Sequence, residues 1–310
     1  MTKIEHVRAT LAGRPTPHPP FFLSYHFGTQ CADPELTARA HVACLRGYDL
    51  DLLKVMHDYE YPMPEGLEVM SGPEDLRRLI PLDLARGPLA KQLRTVELVA
   101  REVKGEALFI DTVFDPWNIC RRSLLKEALP AAMREQPAAL ESALRVINGN
   151  LIRYALASLE RGAAGIYYAV QAAAEVATPE QYERFMRPFH LEFLEALRGR
   201  GECHVLHAHG DRVYFDRLLG YPALHVLSWD NVNSGPPIPE MRRQTPLTLM
   251  AGLDHKKFHA LSAKALREQA YRARREAGNT KFILAPGCTI ETWTQAPFIR
   301  AARQAARATL

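Results

Sequence analysis

Eight short apolar runs recur along this chain, separated by segments of helical periodicity. The runs are residues 21–27, 51–58, 108–114, 164–170, 203–209, 223–229, 247–253 and 281–285. Apolar residues spaced three and four apart predict helices over residues 34–47, 88–103, 137–161, 179–198, 261–277 and 294–306. Strands that alternate with helices in this way indicate a parallel sheet.

The number of strands favours one of two architectures for such a sheet. Eight βα units in 310 residues predict an α/β protein that forms a single (β/α)8 TIM barrel, with residues 1–310 as one domain. An open doubly wound sheet is the alternative, but no G-x-G-x-x-G pattern follows any of the runs. Two consecutive helical segments within residues 118–150 predict extra helices after the third strand.

Composition argues against several classes of protein. The net charge is +4, and basic and acidic residues are interspersed, so we expect no nucleic-acid partner. The longest apolar stretch, residues 163–174, is too short to cross a membrane. The five cysteines lack C-x-x-C spacing, which argues against a disulfide framework and favours a cytoplasmic protein.

Polar side chains stand at or just beyond the ends of several predicted strands. In a barrel, all the carboxyl ends of the strands meet at one mouth, which is where TIM-barrel enzymes hold their active sites. Any one of these residues also fits a helix cap, a turn or a packing position. Taken together, they predict a substrate pocket, and the candidates are Tyr25, His26, Asp58, Gln171, Trp229 and Asp230.

Two histidines and one cysteine have the pattern of a metal site. His207 and His209 end the fifth run, and the alternation of a strand places both on one face, about 6–7 Å apart. Something must keep two such histidines neutral, and a metal ion does so directly. Cys288 follows the eighth run, and its thiolate would complete a donor set typical of Zn²⁺. On its own, Cys288 would more often be a small core residue than a ligand.

These segments resemble the uroporphyrinogen decarboxylase superfamily over nearly the whole chain. Residues 49–58 resemble its second strand, which ends in a substrate-binding aspartate at the position of Asp58. Residues 162–182, 228–230, 251–254 and 282–297 resemble its fourth, sixth, seventh and last strand regions. The superfamily fold is a (β/α)8 barrel, so the resemblance implies the same architecture as the strand count.

The superfamily contains two main chemistries, metal-free decarboxylation of uroporphyrinogen and zinc-dependent methyl transfer to a thiol. True decarboxylases carry an arginine-rich motif after the first strand, where this chain has residues 23–30 without an arginine. The methylcobalamin:coenzyme M methyltransferases carry H-x-C after the fifth strand and G-G-C or P-G-C after the eighth. Here His207-Ala208-His209 and Pro286-Gly287-Cys288 stand in those places. The resemblance is therefore closer to the methyltransferase branch.

The resemblance to that branch implies a mechanism and its partners. Zn²⁺ bound by His207, His209 and Cys288 would deprotonate a small-molecule thiol. The thiolate would attack a methyl group on a corrinoid, carried by a separate protein, or on a similar carrier. Glu175 or Asp211 would be either the fourth ligand of the metal or a residue that forms a hydrogen bond with one of the ligating side chains. The residues that would position the methyl acceptor are Tyr25, His26, Asp58, Gln171, Trp229 and Asp230. The resemblance also implies a homodimer.

Two other functions stay open at this point. A metal-free decarboxylase would use Asp58 to hold a protonated pyrrole-like or amine substrate. A barrel without catalytic activity would bind a ligand only. Metal analysis separates the methyltransferase from both alternatives, and turnover of a porphyrinogen separates the decarboxylase from the ligand-binding barrel.

Overall fold

A parallel sheet of seven strands forms the centre of the computed structural model, which describes residues 1–278 and 280–309. Each strand pairs with the next one in the chain. These pairings confirm the predicted α/β class and the parallel sheet. The strands are β1 (Leu52–Val55), β2 (Leu108–Phe114), β3 (Gly165–Gln171), β4 (Val205–His209), β5 (Val226–Trp229), β6 (Thr248–Leu253) and β7 (Phe282–Pro286).

Helices precede the sheet and connect its strands. None of them, within the described ranges, is both long enough and apolar enough to cross a membrane. The helices are α1 (Lys3–Leu11), α2 (Pro34–Gly47), α3 (Pro73–Leu76), α4 (Gly87–Glu102), α5 (Pro116–Ile119), α6 (Leu129–Glu135), α7 (Pro137–Glu160), α8 (Pro179–Phe185), α9 (Arg187–Ala196), α10 (Phe215–Leu218), α11 (Ile238–Gln244), α12 (Ala263–Ala277) and α13 (Ala296–Arg307).

The prediction of eight regular strands is wrong in its first segment, residues 21–27. Phe21 forms only an isolated parallel bridge to Leu284 of β7, and Phe22 forms one to Leu52 of β1. Two prolines precede this segment and cannot donate hydrogen bonds, and the Phe21 N–H is bound by the Asp51 carboxylate at 2.8 Å. The segment nevertheless reaches both edges of the curled sheet, which is consistent with a TIM-like barrel.

Strand alternation divides the core into two layers. Tyr167, Val205 and Met250 belong to a smaller cluster on the inner face of the curled sheet, together with Val7 of α1. Their neighbours along the strands, such as Tyr168 and Leu206, pack in the larger cluster with the helices. Inward-facing side chains at the carboxyl ends of the strands therefore lie above a closed apolar floor.

The connection between β2 and β3 places several polar side chains near that end of the sheet. Asp115 caps α5 by accepting the Asn118 N–H at 2.9 Å, and it also accepts the Gln171 N–H at 2.7 Å. A π-helix over Cys120–Leu124 and a 3-10 turn over Lys126–Ala128 follow α5 and lead into α6. The Asp115 carboxylate thus ties the start of this connection to the end of β3.

One predicted helix, residues 179–198, is interrupted in the structure. It divides into α8 and α9 at Met186, whose φ of −125° and ψ of −61° are not helical. Pro188 stands two residues further on and lacks the N–H that a continuous helix needs at that position. The helix predicted over residues 34–47 has the same bounds as α2 in the structure. The first helix, α1, was not predicted from the sequence.

Candidate metal centre

β4 carries the two candidate histidine ligands at its carboxyl end. His207 is paired with Ala169 of β3 and is 4% exposed, whereas His209, two residues further on, is exposed. Their ring centroids are 5.8 Å apart. The strand ends at His209, and the next residue, Gly210, has a φ of +115°, a conformation that side chains disfavour. The pair therefore spans the boundary between the buried interior and the open mouth.

Cys288 reaches the same place from the loop after β7. Gly287 precedes it and leaves no room for a side chain, because a Cβ there would lie 2.7 Å from the Asp230 Cα. The Cys288 Sγ lies 3.7 Å from His209 Nδ1. One donor atom from each of His207, His209 and Cys288 lies within 4.8 Å of the other two. The structure thus brings together the three residues that the sequence predicts as metal ligands.

The electrostatics of this cluster favour a thiolate at Cys288 and a neutral imidazole at His207. Burial raises the pKa of the Cys288 thiol, but His207 and His209 outweigh burial and hold that pKa well below its ordinary value. The hydrogen bond to Cys288 raises the pKa of His209, whereas burial lowers the pKa of His207.

The hydrogen bonds of His207 leave one ring nitrogen available. Its Nδ1 lies 3.1 Å from Ser228 Oγ, and its Nε2 is buried without a hydrogen-bond partner among the described residues. An unpartnered buried nitrogen next to an ionised thiol suits a cation. Two nitrogen donors and one thiolate form a set that Zn²⁺ accepts, so the residues present fit this ion.

The three candidate ligands open into a cavity of about 670 Å³. Gln171 and His26, two predicted pocket residues, also line it. Part of the lining is apolar, and the connection after β2 contributes several basic side chains. The apolar residues are Phe114, Trp117, Leu129, Met133 and Val176, and the basic residues are Arg121, Arg122, Lys126 and Arg134.

Asp58 lies in an adjoining cavity of about 370 Å³. The two cavities share four lining residues, including His26 and Arg122. The Asp58 Oδ1 is 2.6 Å from His26 Nδ1, and its Oδ2 accepts the Phe27 N–H at 3.1 Å. Burial raises the pKa of Asp58, but these two hydrogen bonds contribute to holding it below its ordinary value. Asp58 is therefore a carboxylate at neutral pH.

The other predicted pocket residues lie outside these two cavities. Trp229 packs in the larger core, and its Nε1 donates to the Pro236 carbonyl at 2.9 Å. The hydroxyl of Tyr25 donates to the Thr292 carbonyl. Asp230 lines a recess of about 150 Å³ that also contacts His209 and Cys288.

The two carboxylates considered as a fourth ligand are engaged elsewhere. Glu175 Oε1 accepts the Asp211 N–H at 2.6 Å, which holds it beside the turn after β4. Asp211 accepts a hydrogen bond from Ser234, and its Oδ1 lies 3.8 Å from Lys256 Nζ. Glu175 lines the large cavity, whereas Asp211 lines only the small recess.

The sequence did not predict the polar residues Lys54, Tyr167 and Ser228, which lie near the cluster. Lys54 and Tyr167 line the large cavity, and Ser228 binds His207. The sequence carries a signal for one of them, because Lys54 is the single charged residue in the run Leu52-Leu53-Lys54-Val55-Met56. A charge in the middle of a buried strand is costly unless it serves a cavity.

Comparison with known proteins assigns the family. The model of the uroporphyrinogen decarboxylase (URO-D) family matches residues 21–309. The chain belongs to this family. The match confirms the resemblance drawn from the sequence, and no curated protein matches the chain in a sequence comparison.

Solved structures share the fold of this uroporphyrinogen decarboxylase family member. A methyltransferase from Methanosarcina mazei has a TM-score of 0.82 at 18% identity, covering 99% of this chain and 98% of that one. A candidate vitamin-B12 independent methionine synthase from Listeria monocytogenes has a TM-score of 0.58 at 14% identity, covering 88% and 85%. At these identities the similarity shows the fold alone.

Proposed function

We propose that this protein is a zinc-dependent methyltransferase that moves a methyl group from a corrinoid or similar carrier to a thiol. The observation that carries the proposal is the convergence of His207, His209 and Cys288, with one donor atom of each within 4.8 Å of the others. Membership of the uroporphyrinogen decarboxylase family and the fold shared with a methyltransferase support it. In this proposal residues 1–310 act as one barrel domain.

Each candidate ligand contributes differently to such a site. His207 offers its buried Nε2, Cys288 offers a thiolate, and His209 stands where solvent and substrate have access. Bound Zn²⁺ would supply the acidity that turns a coordinated thiol into a thiolate at neutral pH. The histidines add no negative charge, so the single thiolate of Cys288 leaves the centre electrophilic.

The cavity supplies binding and exclusion of water. Its apolar lining residues, which include Trp117 and Met133, suit the carbon skeleton of a substrate and would help to keep water from the reacting atoms. Gln171 and His26 offer hydrogen bonds that orient a polar group. We propose that the methyl donor approaches over the exposed side of His209. If this donor is a corrinoid, a separate protein carries it.

Metal analysis of a ligand variant tests the proposal. We expect one zinc ion per chain in the untagged wild-type protein and its loss in Cys288→Ser, because a hydroxyl is a poor substitute for a thiolate on zinc. Elemental analysis after dialysis measures the zinc content of the wild-type protein and of the variant. Cys31→Ser, which changes an exposed free cysteine, is the control and should keep its zinc. Stoichiometric zinc in Cys288→Ser would refute the ligand assignment.

A second candidate function rests on Asp58. The ionised Asp58 and its partner His26 line the adjoining cavity, which would suit a cationic or pyrrole-like substrate of a metal-free lyase.

Assays of the two reactions distinguish the methyltransferase from the lyase. A metal-free lyase would decarboxylate a porphyrinogen in the presence of a chelator, and Asp58→Asn would abolish this turnover. A methyltransferase would methylate a thiol from methylcobalamin and would lose this activity in the chelator. A barrel that only binds a ligand would do neither.

A further inference from the structure

Asp111 is a buried carboxyl group on β2 that lies outside the candidate metal centre. It is 0% exposed. Its Oδ2 accepts hydrogen bonds from the hydroxyls of Tyr154 and, at 2.8 Å, Ser158, both on α7. Its Oδ1 accepts the side-chain amide of Gln92, on α4, at 3.1 Å and the Thr112 N–H at 3.0 Å. The carboxyl group is therefore enclosed between β2 and two helices.

No positive charge compensates this carboxyl group. Within the described part of the chain it forms no ion pair with a lysine, arginine or histidine, and its neighbours in the strand register, Val55 and Ile166, are apolar. Neutral donors stabilise a buried carboxylate less than a cation does. Burial raises the pKa of Asp111 to about 6, although the four hydrogen bonds oppose this effect. A group in this position changes its charge under mildly acidic conditions.

The Gln92 amide links this carboxyl group to the carboxyl end of β1. Its Nε2 donates both to Asp111 Oδ1 and, at 3.2 Å, to the carbonyl of Met56, two residues before Asp58. Its Oε1 is buried without a hydrogen-bond partner among the described residues. A buried amide oxygen without a donor is unfavourable, and a protonated Asp111 would supply that donor. Either end of the amide can therefore face the carboxyl group, according to whether Asp111 carries a proton.

The other titratable groups around Asp111 keep their charge in the same pH range. Burial lowers the pKa of His41, which accepts the N–H of Met56, and of His57 to about 4, so both are neutral above pH 5. Burial raises the pKa of Tyr154 well above its ordinary value, while the charge of Arg161 at the end of α7 acts in the opposite direction. The helix α4 contributes a neutral amide. Among the groups that face it, Asp111 is thus the one that titrates.

We propose that Asp111 and Gln92 form a proton-dependent latch on the carboxyl end of β1. With Asp111 ionised, Gln92 donates to both the carboxylate and the Met56 carbonyl, and the latch is closed. With Asp111 protonated by solvent, its O–H donates to Gln92 Oε1, the amide turns over, and the Met56 carbonyl loses its donor. No covalent bond of the chain changes. Because His57 and Asp58 follow Met56 and line the adjoining cavity, proton uptake loosens one wall of that cavity.

Hydrogen exchange of residues 56–61 tests the latch directly. We expect wild-type protein to lose about fivefold in protection between pH 7.5 and pH 5, after correction for the intrinsic exchange rate, because a hydrogen bond to a backbone carbonyl is lost. Asp111→Asn imitates the protonated carboxyl group and should have the low protection at both pH values. Gln92→Met lacks the amide and should behave in the same way.

Thr112→Val is the matched control for this measurement. It removes a hydroxyl that donates to the adjacent Val55 carbonyl at 2.7 Å, at the same end of β1, and that hydroxyl does not titrate in this range. Its loss should lower the protection of residues 56–61 equally at both pH values. The difference between pH 7.5 and pH 5 should therefore remain in this variant.

The pH dependence of stability separates proton uptake from a purely structural role of Asp111. A pKa raised from 3.8 to about 6 means that the folded protein binds the proton more tightly, so the stability due to this proton is lost as pH rises through that range. We expect the ratio of the unfolding equilibrium constants of wild type and Asp111→Asn to change about tenfold per pH unit between pH 4.5 and 5.5. If Asp111→Asn does not fold, Tyr154→Phe takes its place. It removes one donor to the ionised form and should move the transition to higher pH.

Three results would overturn the latch. They are equal protection of residues 56–61 at both pH values in wild type, a pH difference that persists in Asp111→Asn, and a ratio of unfolding constants that does not vary with pH. An effect transmitted by His26, which binds Asp58 in the same cavity, would persist in Asp111→Asn and would be recognised in this way. These measurements do not involve zinc, so failure of the latch and failure of the proposed metal site are distinguishable.

Discussion

The contact between His207 and Ser228 determines which nitrogen of the imidazole faces the cysteine. Ser228 lies on β5 directly beside His207 in the strand register, and its Oγ is 3.1 Å from Nδ1. The Tyr167 hydroxyl lies 3.5 Å from the same oxygen. If Nδ1 donates its proton to Ser228, Nε2 keeps the lone pair that a metal needs. Ser228 is therefore a positioning residue for the candidate centre.

Removing the Ser228 hydroxyl should weaken zinc binding without unfolding the protein. We expect Ser228→Ala to lose about 10- to 100-fold in zinc affinity, as is usual when a partner of a histidine ligand is removed. Competition with a chelator measures the affinity, and Ser228→Thr should restore it. Thr112→Val removes another buried hydroxyl, which donates to the Val55 carbonyl at 2.7 Å. As the control, Thr112→Val should change the stability of the protein and leave its zinc affinity unchanged. Equal zinc affinity in Ser228→Ala and wild type would contradict the assignment.

At the scale of elements, the turn after β4 holds the two histidines at the mouth. Gly210 adopts a φ of +115°, and a Cβ there would lie 2.4 Å from Glu175 Oε1 and 2.6 Å from the Ala173 Cβ. The Glu175 oxygen in turn accepts the Asp211 N–H. The strand therefore ends where it does because a glycine allows the chain to pass Glu175 closely.

Gly210→Ala should strain this turn and displace His209. We expect a loss of about 1–3 kcal/mol in unfolding free energy from the backbone conformation, and more from the contact with Glu175. Zinc affinity should fall as well. Chemical denaturation and chelator competition measure the two effects. Gly220→Ala is the matched control, since a Cβ at Gly220 would have no other atom within 4 Å and the φ of this residue is not positive. Equal stability of the two variants would contradict this account of the turn.

The elements also explain which parts of the site the sequence predicts. His207, His209 and Cys288 follow predicted strands, and their chemistry identifies them before any geometry is known. Trp229 was predicted for the pocket, but strand alternation turns it to the helix side, while its neighbour Ser228 faces inward. Which of two adjacent residues faces inward depends on the strand register, and the sequence specifies that only weakly where both faces are buried.

At the scale of the whole molecule, the two ends of the chain meet beneath the sheet. Val7 of α1 is fully buried against the inner cluster, and His6 lies 3.7 Å from Asp51, just before β1. Arg303 of α13 pairs with the same carboxylate at 2.8 Å. No pattern in the sequence predicts this meeting, because it joins residues far apart in the chain whose types are common on surfaces.

The buried pair of Asp51 and Arg303 should dominate the stability of this end of the molecule. Asp51 is 2% exposed and Arg303 is 5% exposed. Arg303→Met would take the arginine away from the buried Asp51 carboxylate, which would keep the Phe21 N–H and His6 as neighbours, at a cost of about 3 kcal/mol near neutral pH. Arg307→Met is the control, because Arg307 is half-exposed and pairs with the partly exposed Asp49. Its loss should cost less than about 1 kcal/mol. Denaturation midpoints at pH 7 measure both.

The effect of Arg303→Met should also depend on pH with a definite sign. Burial raises the pKa of Asp51, but the close approach of His6, the charge of Arg303 and the hydrogen bond from the Phe21 N–H outweigh burial and hold the pKa below its ordinary value of 3.8. A depressed pKa in the folded state means that the ion pair stabilises the protein fully well above pH 3.8 and that this contribution is lost as pH falls below it. Without Arg303 the carboxylate should protonate more readily, which relieves the unpaired charge. The difference in unfolding free energy between wild type and Arg303→Met should therefore become smaller as the pH falls from 7 to below 4. A difference that stays constant across that range would show that the variant is destabilised by lost packing rather than by an unpaired charge.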